Sequence, residues 1–343
     1  MRLMSKSLEQ KLALLHQNPR ANTFILADAK DADMAFGIEC TGRTWQGRRR
    51  SIDEYRDQIR EIAAQGLVDI ILMSASTSEI LTIRERIFDG STITPAVRAN
   101  DATDVHIVRG GRYSSAPSQP FASTTIEHIQ YGRLTHAAQD AKPGANLGLY
   151  SVTFNNDPDY DLRTMEAYRA FRLEAEQKGF QHFLEVFSPN VPANVHGLEQ
   201  EEIPKFINDH IVRLLAGVPS SSRPRFLKIP YLGPAAMEEI CGYDSSVVVG
   251  ILGGSTGTTH DAFHLLHSAK KHGARVALFG RKINAAEHQL SFVEHLRRVA
   301  DDEIAPAEAV RSYQASLASL GITPCRSLEE DLQLTSTYAS YGE

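Results

Sequence analysis

The sequence is poor in cysteine and tryptophan and contains no long apolar run. Its 343 residues include one tryptophan and three cysteines, Cys40, Cys241 and Cys325, and no two of these cysteines form a CxxC pair. This spacing argues against a structural zinc site and favours a reducing compartment. No apolar run reaches the length of a signal peptide or a membrane span. We therefore expect a cytoplasmic protein without a metal site.

An excess of positive charge is also absent. The formal net charge is -6 at pH 7 and the pI is about 6.1, which argues against a general affinity for nucleic acid or for an anionic membrane. The hydrophobic fraction of 42% and the charged fraction of 23% are typical of a soluble globular protein. Small solutes are therefore the expected partners.

Strand-like apolar runs alternate with helical patterns along the chain, and no GxGxxG motif follows the first run. Such alternation predicts parallel strands joined by helices. Eight units of this kind favour a (β/α)8 TIM barrel, and the missing motif argues against a doubly wound sheet. The predicted strands span residues 24–28, 69–74, 94–100, 147–153, 182–187, 226–229, 247–253 and 274–279.

The chain is predicted to be one barrel domain over residues 1–330, with an N-terminal helix and one inserted segment. The insertion follows the third strand, spans residues 101–144, and is rich in glycine, proline and serine. A connection of this length in a compact domain usually carries small elements of its own or forms a functional lid. Residues 331–343 are predicted to be a polar, loosely held C-terminal tail.

A lysine in the sixth predicted strand is the first candidate for chemistry. Phe226, Leu227 and Ile229 form a short apolar run around Lys228, and Pro230 ends it. Strand alternation places Lys228 on the same face as Phe226. Burial favours the neutral amine, which can condense with a carbonyl. The structural alternative is a lysine that reaches past the strand end or pairs with a carboxylate.

A glycine-rich turn, residues 253–259 (GGSTGTT), follows the seventh predicted strand, and Gly280 and Arg281 follow the eighth. Glycine lets backbone N–H groups face an anion, hydroxyl groups add donors, and arginine can grip phosphate with two hydrogen bonds. Barrels that bind sugar phosphates often place the phosphate at these two loops. The two motifs, in order after Lys228, predict an anion site.

Three segments together resemble a known family: residues 227–233 (LKIPYLG), 253–254 (GG) and 279–283 (FGRKI). They are similar to the class I aldolases of the archaeal fructose-bisphosphate aldolase type, a family that includes the autoinducer-2 sugar-phosphate thiolase. Fainter similarity places Asp28 at the family's aspartate in strand one, residues 97–100 (VRAN) at its strand three, and Glu185 at its glutamate in strand five.

The resemblance implies a metal-independent lyase without a cofactor, acting through a Schiff base between Lys228 and a ketose phosphate or related keto compound. It also implies that Asp28 and Glu185 orient the amine and shuttle protons, and it suggests a homo-oligomer. Substrate and phosphate oxygens would be held by Arg98, Asn100, Gly253, Gly254, Ser255, Gly280 and Arg281.

The sequence departs from the family at three places. The archaeal aldolases have a proton-donating tyrosine near the end of strand four, where this chain has residues 152–155 (VTFN) and only Tyr150 earlier in the strand. Lys30 lies near the position of a family His-Gly pair, and Lys282 replaces a family asparagine. The general acid is therefore not identified, and substrate identity is the property most affected.

Other interpretations of these residues remain open. Asp28 could cap a turn, and Glu185 could pair with Lys228 for structural reasons alone. A sugar-phosphate isomerase or epimerase would use Asp28, Glu185 and Lys30 as acid and base. A non-catalytic sugar-phosphate binding protein would keep only the anion site, because a fold alone does not specify chemistry.

Overall fold

The computed structural model describes residues 5–44, 47–134, 142–254 and 257–335. Its central feature is a closed barrel in which each of eight strands pairs in parallel with its neighbours, and the last strand pairs with the first. The predicted (β/α)8 barrel is thus confirmed. The barrel strands are β1 Ile25–Lys30, β2 Ile70–Met73, β3 Thr94–Arg98, β4 Leu147–Thr153, β5 Gln181–Phe187, β6 Leu227–Ile229, β7 Val249–Leu252 and β8 Val276–Phe279.

Helices follow the strands and form the outer layer. The long helices are amphipathic, as in α2, where Tyr55, Ile59 and Ile62 form the buried stripe, Ser51 caps the start, and Gly66 ends the helix with φ +76°. The α-helices are α1 Ser7–Gln17, α2 Ile52–Gln65, α3 Ala75–Ser78, α4 Ile126–Tyr131, α5 Pro158–Gln177, α6 Ala193–His196, α7 Ile203–Ala216, α8 Pro234–Tyr243, α9 Thr259–Lys271, α10 Arg281–Ala285, α11 Gln289–Ala300, α12 Pro306–Ser319 and α13 Leu328–Asp331.

Side chains alternate between the lumen of the barrel and the helix layer. Ile25 and Ala27 of β1 pack with Phe226 in one apolar cluster, which is the interior of the barrel. Leu26 packs in another cluster that includes Tyr55 of α2, so it faces the helices. Because side-chain direction in a strand has a period of two, this pattern fixes which polar residues reach the lumen.

The N-terminal helix α1 closes one end of the lumen. Leu8, Leu12 and Leu15 are buried, lie on one face of the helix, and belong to the interior cluster with Phe226. Lys11 on the same helix donates to the Asp69 carboxylate at 2.8 Å, next to β2. The carboxyl ends of the strands are therefore the accessible end.

The segment after β3 covers the accessible end. Asp101–Ala102 pairs antiparallel with Pro120–Phe121, and Ala102 and Val105 pack against Phe187 and Leu252 at the ends of β5 and β7. The part of the insertion around residues 101–121 thus forms small elements over the mouth of the barrel, whereas Ile126 and Ile129 of α4 pack with Val97 and Ala175 in the helix layer. Residues 135–141 of the predicted excursion lie outside the described residues.

The C-terminal tail is not loose where the structure describes it. The Asp331 carboxylate accepts from the backbone N–H of Thr259 at 2.7 Å, and the Thr335 N–H donates to Asp261 at 2.8 Å. Residues 331–335 are thus fixed to the start of α9, contrary to the prediction of a loosely held tail, and residues 336–343 lie outside the described residues. Within the same described ranges, no helix combines the length and the apolarity needed to cross a bilayer.

We expect His182 to make folding stability depend on pH. Burial lowers the pKa of His182 from 6.5 to about 3, so the unfolded chain binds a proton that the native state excludes. The contribution of the neutral, buried His182 side chain to the free energy of unfolding is complete above pH 6.5 and is lost as the pH falls toward 3. When the pH is lowered from about 7.5 to about 4.5, the free energy of unfolding should fall in both proteins. We expect it to fall about 3 kcal/mol less in His182→Gln than in wild type, as measured by urea denaturation. His16→Gln, which removes an exposed imidazole, is the matched control, and an unchanged pH dependence in His182→Gln would contradict this account.

Candidate active site at the carboxyl ends of the strands

Lys228 projects into the lumen from β6. Phe226, two residues earlier, stacks on Phe183 inside the barrel with ring centroids 4.5 Å apart, and alternation places Lys228 on the same face. The lysine is 5% exposed and forms an ion pair with Glu185, its register partner on β5. The predicted pairing of this lysine with a carboxylate is therefore present, at the end of the barrel where such folds place their chemistry.

Glu185 connects Lys228 to two further residues. Its other carboxylate oxygen accepts from Ser151 Oγ at 2.6 Å and from an Arg98 guanidinium nitrogen at 3.3 Å. Ser151 is the register partner of Glu185 on β4, so the row runs across three strands. A fully buried carboxylate needs such partners, because the loss of water is costly for an ionised group.

Arg98 extends the row to a second carboxylate. Its Nε donates to Asp31 at 2.6 Å, and another guanidinium nitrogen donates to Ser151 Oγ at 2.9 Å. Arg98 is only 3% exposed, so its charge depends on these contacts. We call Lys228, Glu185, Ser151, Arg98 and Asp31 the lumenal cluster; it contains two cations and two carboxylates and is balanced in formal charge.

The predicted substrate ligand Asn100 is engaged with the backbone of β4. Its amide oxygen accepts from the Ser151 N–H at 2.7 Å, and its amide nitrogen donates to the Ser151 carbonyl at 2.9 Å. This two-way bond fixes the height of Ser151 in the barrel. In the structure, Asn100 therefore positions the lumenal cluster.

The structure does not bring Asp28 to Lys228. Asp28 has the parity of Leu26 and faces the helix layer, where its carboxylate lies 3.5 Å from the Lys30 amine. Both side chains are fully buried; burial raises the pKa of Asp28 to about 6 and lowers the pKa of Lys30. The prediction that Asp28 orients the Lys228 amine is wrong in geometry, because the two residues lie on opposite sides of the barrel wall.

Lys30 joins β1 to the helices that follow β8. Its amine donates to the side-chain oxygens of Asn284 and Gln289, each at 2.8 Å. Asn284 lies on α10, the helix that starts at Arg281. Lys30, the second lysine that the sequence predicted near the mouth, therefore links α10 and α11 to the barrel wall.

The predicted glycines allow strands to approach closely. A Cβ at Gly253 would overlap the Phe279 ring, and a Cβ at Gly280 would lie 2.6 Å from the Ala29 carbonyl oxygen. Gly254 has φ +60°, a conformation that favours glycine. These glycines thus have a structural role at the ends of β7 and β8, whatever they bind. Ser255 lies outside the described residues.

The first amides of α9 are already occupied. The Asp261 carboxylate accepts from the Thr258 N–H at 2.7 Å, and Asp331 accepts from the Thr259 N–H at 2.7 Å. Lys282 donates to the Thr258 carbonyl at 3.0 Å, and burial lowers its pKa to about 8. Carboxylates of the protein itself therefore occupy the start of α9, where the sequence predicted an anion site.

Arg281 points away from the row around Lys228. Its guanidinium lies over the Phe36 ring, 5.8 Å from the ring centroid, and lines a cavity beside the loop that follows β1. Gly253 and Gly254 do not line that cavity. The predicted phosphate residues thus fall into two places, the ends of β7 and β8 and this cavity.

Sequence reasoning missed three polar residues at the mouth: Asp31, Ser151 and Asp104. Asp31 and Ser151 were recoverable from strand parity, since each is an even number of residues from an interior residue, Ala27 and Leu149. Asp104 accepts from Thr153 Oγ at 2.6 Å and from Ser118 Oγ at 2.8 Å. Burial raises the pKa of the Asp104 carboxyl, so this group is suited to hold a proton.

Neither Tyr150 nor Tyr231 is placed to donate a proton in the lumen. Tyr150 stacks on Phe171 of α5, with ring centroids 4.5 Å apart, on the outer side of β4. The Tyr231 hydroxyl lies 2.8 Å from Ser268 Oγ on α9. The proton donor of the archaeal aldolases therefore has no counterpart in these two residues.

No family model and no curated protein matches the sequence. Solved structures do match in fold. An archaeal fructose 1,6-bisphosphate aldolase has a TM-score of 0.60 and 14% identity, with 86% of this chain and 100% of that chain covered. A Schiff base forming fructose-1,6-bisphosphate aldolase has a TM-score of 0.60 and 16% identity over the same shares, 86% and 100%.

A fructose-bisphosphate aldolase from Slackia heliotrinireducens has a TM-score of 0.63 and 13% identity, with 90% of this chain and 91% of that chain covered. These alignments span nearly the whole of each protein, but the identities are those of proteins that share a fold alone. The chain is therefore a (β/α)8 barrel of the shape found in archaeal-type fructose-bisphosphate aldolases.

Proposed function

We propose that this protein is an aldolase-like C–C lyase in which Lys228 forms a Schiff base with a ketose phosphate or a related keto compound. The observation that carries the proposal is the buried amine of Lys228, in ion pair with Glu185, at the carboxyl end of β6. The fold shared with aldolases supports it, and so does the motif order after Lys228.

Glu185 supplies the proton transfers that imine formation needs. The carboxylate takes a proton from the Lys228 ammonium, and the free amine attacks the substrate carbonyl carbon. The carbinolamine then loses its hydroxyl as water, taking the proton back from Glu185, and leaves an iminium. The contact between the amine and the carboxylate makes this exchange direct.

Cleavage of the carbon–carbon bond follows from the iminium. A base removes the proton of the substrate hydroxyl beyond the bond, an aldehyde forms, and the bonding electrons move into the iminium to give an enamine. Protonation of the enamine carbon and addition of water then release the ketone and restore the Lys228 amine. The balance requires one group that accepts and returns a proton near the mouth.

We assign that role to Asp104. It lies in the segment that covers the mouth and bonds to Thr153, which has the same parity as Ser151 on β4. Its raised pKa makes the carboxyl able to hold a proton and return it. Asp104 thus takes the place of the tyrosine that the archaeal aldolases use.

Arg98 and Asp31 act as positioning residues in this scheme. Arg98 holds the Glu185 oxygen that faces away from Lys228, and Asp31 fixes the guanidinium. Gly250, the register partner of Lys228 on β7, adds no side chain beside the amine. The substrate phosphate is assigned to the backbone of Gly254 and Gly280, at the ends of β7 and β8, because the Gly253 N–H already donates to the Leu278 carbonyl at 2.8 Å.

The geometry argues against an isomerase or epimerase that uses Asp28, Glu185 and Lys30 as acid and base. Asp28 and Lys30 contact each other on the outer side of β1, so they cannot act with Glu185 on one substrate carbon in the lumen. A binding protein without chemistry would not need the buried Lys228 amine next to a carboxylate. The lyase is therefore the function that we test.

The Schiff base is tested by reduction with borohydride. Wild-type protein incubated with a panel of ketose phosphates and small ketones should gain the reduced mass of one compound, on the peptide that contains Lys228. Lys228→Arg keeps the ion pair with Glu185 but cannot form the imine, so it should gain nothing. Lys30→Arg, the control at the other buried lysine, should trap like wild type. A bound sugar phosphate without adduct, or an adduct on another lysine, would overturn the proposal.

The role of Glu185 is tested by oxygen exchange. Loss of the carbinolamine hydroxyl as water, followed by hydrolysis of the iminium, moves ¹⁸O from water into the substrate carbonyl, so the exchange rate reports imine chemistry without cleavage. Glu185→Gln should lower this rate by about 10²–10⁴-fold, the usual contribution of a proton-transfer group. Ser151→Ala, which removes only a neighbour of Glu185, should lower it less. A wild-type exchange rate in Glu185→Gln would contradict the assignment.

The role of Asp104 is tested by the pH dependence of cleavage. A base with a raised pKa accepts the hydroxyl proton only when the pH exceeds that pKa, so wild-type kcat should fall on the acidic side. Asp104→Asn should lower kcat and remove this fall, while ¹⁸O exchange at Lys228 continues. Ser118→Ala removes one hydrogen bond of Asp104 and is the control. Asp104→Asn with a wild-type kcat and pH profile would exclude Asp104 as the base.

A further inference from the structure

The side chains of β4 and of the residues after it point alternately to the lumen and to the helices. Ser151 and Thr153 face the lumen, where they bond to Glu185 and to the covering segment. Phe154 faces the helices, since its ring packs on His210 of α7 with ring centroids 4.6 Å apart. The next residue, Asn155, therefore lies on the lumen side, above Thr153.

The side-chain amide of Asn155 is held in one orientation. Its Oδ1 accepts from the backbone N–H of Asn190 at 3.0 Å. The backbone N–H of Asn155 donates to the Asp161 carboxylate at 2.8 Å, which fixes the residue itself. A flipped amide would turn its NH₂ group onto the Asn190 N–H and lose the first bond, because two donors cannot pair. The positions of Oδ1 and Nδ2 therefore follow from the network.

The amide nitrogen of Asn155 has no partner. The residue is 1% exposed, and among the described residues no acceptor lies within hydrogen-bond distance of Nδ2. Buried N–H groups are nearly always paired, because burial removes their hydration without compensation. The contact with Asn190 gives Oδ1 a structural role and leaves Nδ2 without one. The NH₂ group is thus suited to an acceptor that a ligand brings.

Hydrogen bonds connect this amide with Asp104. Asn190 Oδ1 accepts from the Ser118 N–H at 3.1 Å, and the Ser118 hydroxyl donates to one Asp104 oxygen at 2.8 Å. The other Asp104 oxygen accepts from the Thr153 hydroxyl at 2.6 Å. Asn155 and Thr153 are therefore the two ends, both on the β4 segment, of one network that contains the proposed base.

Apolar side chains pack next to this network. Phe187 is the register partner of Thr153 on β5, and it packs with Ala102, Val105 and Leu252. All four side chains are buried. A hydrogen bond to a developing charge is stronger where apolar groups keep water away, so a fixed donor at this place has a large effect on a reaction.

We infer that Asn155 is a catalytic residue whose Nδ2–H donates to the substrate oxygen from which Asp104 removes the proton. The inference rests on the proposed lyase function. As that proton passes to Asp104, the O–H electrons form the C=O bond of the aldehyde, and the electrons of the carbon–carbon bond move into the iminium. Negative charge on the oxygen is greatest during this transfer, so the amide stabilises the transition state more than the bound substrate.

Cleavage kinetics and ¹⁸O exchange, measured on the same variants, test this role. Asn155→Ala should lower kcat for cleavage about 10²-fold, the usual cost of one oxyanion donor, with little change in KM. The ¹⁸O exchange at the carbonyl precedes cleavage and should keep its wild-type rate. The acid-side fall of kcat should also remain, because Asp104 is intact.

Two further variants separate the donor from the fold. Asn155→Asp keeps an acceptor for the Asn190 N–H but has no NH₂ group, so it should lose at least as much kcat as Asn155→Ala. Asn156→Gly is the matched control, because it removes the neighbouring amide, which donates to the His196 carbonyl, at a residue with φ +57° that glycine adopts readily. It should cleave like wild type.

A wild-type kcat in both Asn155 variants would overturn the inference. A parallel fall of ¹⁸O exchange and kcat would also overturn it, since Asn155 would then support imine formation or the fold instead of cleavage. The absence of both exchange and borohydride trapping in wild type would overturn the lyase together with this inference. The failure of the proposed function is therefore distinguished from a wrong role for Asn155 alone.

Discussion

The buried ion pair between Lys228 and Glu185 is the interaction on which the barrel mouth depends. Two ionised groups at this depth lose most of their hydration, and only close partners offset the cost. The pair obtains these partners from neighbouring strands, through Ser151 and Arg98, and Arg98 in turn binds Asp31. Each member therefore has both its charge and its direction set by the others, which is the arrangement a preorganised catalytic group requires.

The side of the wall on which a charged residue lies decides what it can do. Asp28 and Asp31 are three residues apart, yet one contacts Lys30 under the helices and the other contacts Arg98 in the lumen. The first pair fastens α10 and α11 to β1 through Asn284 and Gln289. The second belongs to the lumenal cluster. The region of β1 and the residue after it thus contribute both to the contacts between the barrel wall and the helices and to the polar cluster in the lumen.

The eight-strand order and the position of Lys228 could be predicted because they follow from local patterns, apolar runs and a two-residue period. The prediction that Asp28 lies beside Lys228 was wrong because it came from a resemblance instead of from that period. The capture of the α9 start by Asp331 could not be predicted, since 72 residues separate Asp331 from Thr259 and no local pattern links them. Loops and chain ends are set by such distant contacts, and the side chains around a phosphate site depend on them.

Helix α1 closes the barrel at the amino ends of the strands. Leu8, Leu12 and Leu15 pack at the opposite end of the barrel, so among the described residues the side chain of Lys228 is approached from the end beneath Ala102 and Val105. In the lyase that we propose, the water expelled when an imine forms, the water consumed when it is hydrolysed, and both halves of a cleaved substrate would share this approach. The products of the proposed reaction would therefore leave by one route, past the segment that covers the mouth.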